Sequence, residues 1–294
     1  MPCYFPRVSN FHGLLERLDL EPLDTDLFRG FGPHDGRPRI FGGLVTAQSL
    51  IAACRTVEGR TAHSLHGYFL REGDTSVPVI YHVDRIRDGR SFATRRVVAK
   101  QHGKAIFNMS VSFQTAEEGL EHQAQMPDAP APETVPTNEE RLRAYQEESS
   151  HPAIDFLLSL DRPIQRREVD HVNLLAPEVH NGIQRTWFRA DGVLGDDPVT
   201  HQAVLAYASD YGLLEGSFNQ HGHSFLTEKL IIASLDHAIW FHKPFRADQW
   251  MLYVTQSPRA SGGRGLNFGH IYSQDGALVA SVAQEGLMRI RKPQ

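Results

Sequence analysis

The stretch Ile231-Ile-Ala-Ser-Leu-Asp-His-Ala-Ile-Trp-Phe-His-Lys-Pro-Phe245 is apolar enough to lie in a core, yet it carries Ser234, Asp236, His237 and His242. An earlier stretch, His63-Ser-Leu-His-Gly-Tyr-Phe-Leu-Arg-Glu-Gly-Asp74, has the same character. Each is followed by strand-like segments and by a hairpin turn at glycine, His102-Gly103 in one case and Asp275-Gly276 in the other. The interval from His66 to Gly103 nearly equals that from His237 to Gly276. The chain therefore reads as two copies of one unit, and 294 residues suffice for two domains of about 150.

Working outward from these stretches, the first copy opens with a short helix over 9–18, capped by Ser9 or Asn10, and a strand over Leu23–Phe31. A turn-rich loop with two prolines spans Gly32 to Arg39. The segment Phe41–Val57 is a helix of small and apolar residues, so it should be buried nearly all round. Two glycines at its start allow close backbone approach and leave its first amides free, Gly43 among them. Strands follow at His63–Leu70, Val79–Arg87, Ser91–Gln101 and Lys104–Thr115. One buried helix followed by an antiparallel meander predicts a helix wrapped by a curled sheet, the hotdog fold.

Composition changes from Ala116 to Ser150, where Met126-Pro-Asp-Ala-Pro-Ala-Pro-Glu-Thr-Val-Pro136 predicts a semi-extended linker with a short helix over Glu139–Ser149. The pattern then restarts. A short helix covers His151–Leu160, with strands at Ile164–Val172 and Ile183–Asp191. A second buried helix covers Asp197–Leu214, with Asp197 as cap and Pro198 in the first turn. Strands at Lys229–His242, Gln249–Pro258, Gly265–Ser273 and Leu278–Arg289 complete the copy. The expected fold class is α+β, a double hotdog with repeats at 1–115 and 151–294 joined by a linker at 116–150. The two sheets should merge into one layer with both helices behind it.

Composition narrows the function. Hydrophobic residues make up 40% and charged residues 22%, enough for a core in each half. The 30 basic and 35 acidic residues leave a net charge of -5, which weighs against nucleic-acid binding. Cys3 and Cys54 cannot form a disulfide framework and suit a reducing cytoplasm. The start, Met1-Pro-Cys-Tyr-Phe-Pro-Arg7, lacks a signal-peptide pattern, no segment is apolar enough to span a membrane, and the end, Arg291-Lys-Pro-Gln294, is not a peroxisomal tripeptide.

Chemistry should reside where the copies differ. The first helix contains no Asp or Glu, whereas the second carries Asp210 among apolar residues, a costly place for an unemployed carboxylate. The last strand of the second copy carries Gln284, where the first copy is apolar near Val111. Pairing of the last strand with the opening stretch brings Gln284 beside Ser234, both over the helix with Asp210. An acid, a hydroxyl and an amide converge in one repeat only.

The sequence resembles the type II acyl-CoA thioesterases, a family of double-hotdog proteins, over nearly the whole chain outside the linker. The resemblance rests on Phe41-Gly-Gly-Leu-Val-Thr-Ala-Gln-Ser-Leu50, His66-Gly-Tyr-Phe-Leu-Arg71, Arg87-Asp-Gly-Arg-Ser-Phe92, Tyr207-Ala-Ser-Asp210, Leu235-Asp-His237, Trp240-Phe-His242 and Gln284-Glu-Gly286. It implies hydrolysis of fatty acyl-CoA to a fatty acid and coenzyme A, without a cofactor, and puts the family's catalytic Asp, hydroxyl residue and Gln on Asp210, Ser234 and Gln284. The family's hydroxyl is commonly Thr; Ser234 keeps the hydroxyl but loses the methyl that restricts its rotamer. Thioester hydrolysis needs a base to activate water, groups to aim it, and a donor for the oxyanion. Asp210 fits the first, Ser234 and Gln284 the second, and the Gly43 amide the third.

Other features read more plainly. His237 and His242 lack the acidic or Cys partners of a metal site and read as core or edge residues. Arg87, Arg90, Arg95 and Arg96, with Arg85, are candidates for the phosphates of coenzyme A, although Asp84 and Asp88 balance them on a solvated face. Cys54 reads as a small buried apolar residue. A non-catalytic acyl-CoA binder is the alternative on the same fold. An enoyl-CoA hydratase is a further one, although Asp170, Asn173, Pro177 and His180 have the wrong spacing for its Asp and His. Exposed sheet edges and faces favour a homo-oligomer, a dimer or tetramer.

Overall fold

The computed structural model describes residues 11–33, 37, 39–160, 162–227 and 230–291. Cys3, the cap at Ser9 or Asn10, the strand start at Lys229 and residues 292–294 lie outside them. A helix α1 (Phe11–Leu18) precedes a hairpin, β1 (Glu21–Asp24) and β2 (Leu27–Gly30). One strand over Leu23–Phe31 was expected. The chain instead reverses at Asp26, which takes a left-handed φ of 57° that short polar side chains tolerate. The buried helix α2 (Gly42–Cys54) follows, then the meander β3 (Thr61–Phe69), β4 (Val79–Asp88), β5 (Phe92–Gln101) and β6 (Lys104–Gln114).

The connecting segment is less free than a linker. A 3-10 turn at Pro132–Thr134 leads into α3 (Asn138–Glu148), whose start is closed by a Thr137–Glu140 capping box. Carbonyls before it are held by the sheet: Pro130 accepts from Trp187 Nε1 at 2.8 Å and Val135 from Arg167 at 2.7 Å. Proline-rich backbone offers carbonyls without matching N–H donors, so it docks well against side-chain donors.

The second copy comprises α4 (Pro152–Ser159), β7 (Ile164–Glu168), β8 (Ile183–Ala190), α5 (Pro198–Ser209), α6 (Glu215–Asn219), β9 (Leu230–Ser234), β10 (Asp236–Phe241), β11 (Met251–Ser261), β12 (Arg264–Ser273) and β13 (Leu278–Ile290). The helix expected over Asp197–Leu214 is shorter. It ends with Asp210 as its C-cap, and Gly212 at φ 74° turns the chain into α6, which the sequence reading missed. Asp210 thus stands at the end of the helix, not in its middle.

All strands join one antiparallel sheet, ordered β1-β2-β4-β5-β6-β3-β10-β13-β12-β11-β8-β7, with β9 also on β13. The seam between the copies is the opening stretch paired with its own echo: Ala238 faces His66 and Ile239 faces Leu65. Against this layer α2 and α5 pack side by side, and one apolar core runs through both copies. The fold is a double hotdog.

One irregularity matters for the site. A single strand over Lys229–His242 was expected, but it breaks at Leu235 into β9 and β10. Ala238 pairs with Ala283, whereas Ser234 pairs with Gly286, one residue out of step. Alternation from the inward His237, Ile239 and Phe241 would leave Ser234 on the outer face. The bulge reverses that.

Candidate active site

Asp210 is held by three donors from three elements. The Gly43 amide, in the first turn of α2, donates to Oδ2 at 2.9 Å, and Gln284 Nε2, from β13, donates to Oδ1 at 2.7 Å. Ser234 Oγ, at the end of β9, donates to Oδ1 at 3.4 Å, long for such a bond. The three residues predicted from the sequence therefore meet, and Gly43 joins them. The expectation that the Gly43 amide is free for a substrate does not hold, because it already serves Asp210. A carboxylate in this place is favoured by the positive end of α2. Gln284 is 1% exposed, and its Oε1 has no partner among the described residues, which leaves an acceptor beside the carboxylate.

Close helix approach makes this possible. A methyl on Gly43 would lie 2.4 Å from the Tyr207 carbonyl oxygen, and one on Gly42 would lie 2.8 Å from Asp210 Oδ2. The glycines thus let α2 reach across to the last turn of α5.

Behind Asp210 lies His237. Ser209 Oγ donates to the Ala206 carbonyl at 3.0 Å, so His237 Nε2, 2.8 Å away, carries the proton that Ser209 accepts. Burial pushes the His237 pKa below its ordinary value of 6.5, while Asp210 and Asp236 pull it the other way. The imidazole is thus neutral in the fold. It contributes stability above pH 6.5 that is lost as pH falls through its depressed folded value, where the unfolded chain holds the extra proton. Melting temperatures between pH 8 and 5 are expected to fall more steeply for the wild type than for His237→Gln. Equal slopes would refute this.

Asp210 and Ser234 line a cavity of about 680 Å³ at the start of α2. Its walls include Ile40, Phe41, Val45, Phe69, Phe107 and Leu214, and Arg37, Arg39 and Arg71 also border it. Arg39 pairs with Glu72 at 2.8 Å, and Arg71 donates to the Ala105 carbonyl at 2.6 Å. This is the size and polarity of a small-molecule site. The sequence reading missed these three arginines because they sit in loops with no periodic pattern.

The arginines it chose lie elsewhere, and none lines this cavity. Arg95 is 1% exposed, and its guanidinium holds Thr56, the Arg87 and Thr94 carbonyls, and Asp88 at 2.6 Å. Arg96 pairs with Asp84 and Arg85 with Asp26. Arg87 and Arg90 flank the same hairpin turn. Cys54 sits at the end of α2, where burial pushes its thiol up to about 12, far from a nucleophile's range. In the hydratase-like segment, Asp170 pairs with Arg185 at 2.8 Å, Asn173 caps the Leu175 amide, and His180 accepts from the Gly182 amide. Those residues shape a loop. No helix among the described residues is long and apolar enough to cross a membrane.

The fold is that of the hotdog proteins, and a carboxylate and a hydroxyl stand in the wall of its apolar cavity. Residues 155–287 match the family model described as acyl-CoA thioesterase, and residues 32–114 match that of the acyl-CoA thioesterase N-terminal domain. The chain belongs to the acyl-CoA thioesterase family. It is 42% identical to acyl-coenzyme A thioesterase 8 of Mus musculus, over 94% of this chain and 88% of that one. It is 38% identical to acyl-CoA thioesterase 2 of Haemophilus influenzae, over 95% and 97%. Among solved structures, acyl-CoA thioesterase II of Mycobacterium marinum superposes with a TM-score of 0.77 at 43% identity, covering 96% of this chain and 99% of that one.

Proposed function

We propose that the chain hydrolyses fatty acyl-CoA to a fatty acid and free coenzyme A, with Asp210 as general base. The observation that carries this reading is the meeting of Asp210, Ser234 and Gln284, from three separate elements, with Asp210 and Ser234 in the wall of the apolar cavity. A water beside Asp210 gives up a proton to the carboxylate while its oxygen attacks the thioester carbonyl carbon. Ser234 and Gln284 aim that water, Gln284 through its free acceptor. Gly43 anchors the ionised carboxylate through its amide, which keeps the base in place beside the water. Collapse of the tetrahedral intermediate breaks the C–S bond, and Asp210 returns the proton to the leaving thiolate.

The acyl chain lies along Phe41, Val45 and Phe107, and the phosphates of coenzyme A face Arg37, Arg39 and Arg71 in place of Arg87, Arg90, Arg95 and Arg96. Arg39 is exposed and can exchange Glu72 for a phosphate at little cost. The retained Asp210, Ser234 and Gln284 argue against a non-catalytic binder.

Thiol release from acyl-CoAs of several chain lengths tests the reading; no release from any of them would overturn it. Because Ser234 bonds Asp210 only at 3.4 Å, Ser234→Ala is expected to lower kcat about tenfold, with Ser234→Thr close to wild type. A Thr variant as slow as the Ala variant would remove Ser234 from the mechanism.

A further inference from the structure

We propose that a second cavity, at the start of α5, binds coenzyme A by its amide-bearing pantetheine arm and does not hydrolyse it; this rests on the reading that acyl-CoA is the substrate. The two cavities are exchanged when the repeats are exchanged. The first is bounded by the start of α2, the chain leaving β3 at Phe69–Gly73, and the approach to β10 at Ile232–Leu235. The second is bounded by the start of α5, the chain leaving β10 at Phe241–Arg246, and the start of β3 at Thr61–His63. Their volumes, about 680 and about 570 Å³, are similar.

What differs is the chemistry. Asp210 caps α5 and lines the first cavity; the residue capping α2 is Arg55, which does not line the second and whose guanidinium holds Asp19 at 2.7 Å and the Leu20 carbonyl. No base stands at the equivalent place. The first amides of α5 are capped by its own Asp197, at 3.2 Å to Val199 and 3.1 Å to Thr200.

Two wall residues carry unmet hydrogen bonds. His201 and Gln202 are 4% and 6% exposed. His201 Nδ1 accepts the Ala247 amide at 3.0 Å, so Nε2 bears the proton, and it has no partner among the described residues. Gln202 Nε2 donates to the Ala62 carbonyl at 2.7 Å, which leaves its Oε1 equally without one. The wall thus holds one buried donor and one buried acceptor, each unpaired among the described residues. A secondary amide supplies the complement of both, a carbonyl for Nε2–H and an N–H for Oε1. Pantetheine carries two such amides between methylene and gem-dimethyl segments, which suit Phe241, Pro244 and Phe245 in the same wall. At the rim Lys243 pairs with Glu121 at 2.9 Å, an exposed pair that a phosphate can replace at little cost.

Equilibrium dialysis with free coenzyme A counts the sites. The wild type is expected to bind two per chain, and pantetheine to displace one of them. Ala116→Trp, which fills the second cavity from its exposed rim, is expected to bind one while releasing thiol from acyl-CoA at the wild-type rate. Gln202→Met is expected to weaken the second site roughly tenfold. A single coenzyme A on the wild type, or two on Ala116→Trp, would overturn the proposal. Displacement from the second site by free fatty acid but not by pantetheine would overturn the ligand class. Thiol release with one bound coenzyme A refutes this inference alone, whereas two bound without thiol release refute the hydrolase reading alone.

Discussion

Asp210→Asn is expected to lower kcat for thiol release by about 10²–10⁴-fold, with KM changed less than about threefold. The substitution is nearly isosteric, so the cavity keeps its shape. The Asn carbonyl still accepts the Gly43 amide, which bonds Oδ2 in the wild type. The Asn amide then faces Gln284, whose side chain answers by turning its oxygen inward, because Oε1 has no other partner among the described residues. What is lost is the capacity to take a proton from water, and a loss confined to the transition state lowers kcat. Steady-state kinetics alongside a thermal melt separate this from damage to the fold. A variant with wild-type kcat would remove Asp210 from the mechanism.

Gly43→Ala is expected to cost about 2–3 kcal/mol of stability and to lower kcat about 10²-fold. The added methyl would lie 2.4 Å from the Tyr207 carbonyl oxygen and 2.5 Å from the Phe41 ring. The ring can rotate, but the carbonyl belongs to the α5 backbone, so the helices must part. Parting them lengthens the Gly43–Asp210 bond and moves the base relative to Ser234 and Gln284. Calorimetry should show a melting point several degrees lower, at about 2 °C per kcal/mol for a chain of this size. Wild-type stability in this variant would mean that the helices do not approach as closely as described.

Local pattern carried much of the fold. The core strands and both buried helices were legible because alternation and all-round apolarity are properties of short windows. The β1–β2 hairpin was not, since one residue at positive φ reverses a chain whose side chains still alternate. The early end of α5 was missed for a similar reason: Leu213 and Leu214 continue an apolar pattern past Gly212, which breaks it. The arginines picked out by charge density do not line the cavity that holds Asp210. Arg95 lies in a charged run, yet it is buried and held by Thr56, just past the end of α2.

The sequence by itself determined that the chain is two copies of one helix-and-sheet unit, and that Asp210, Ser234 and Gln284 are what one copy has and the other lacks. Comparison of two repeats within one chain needs no coordinates. The tertiary structure decided how those residues meet. The one-residue slip at Leu235 turns Ser234 inward, and the glycines of α2 let the first repeat's Gly43 amide hold the second repeat's carboxylate. Both depend on partners distant along the chain, Gly286 across the sheet and Asp210 across the helix pair. Periodicity specifies which faces are buried, whereas register and cross-repeat contact arise only when those faces pack together.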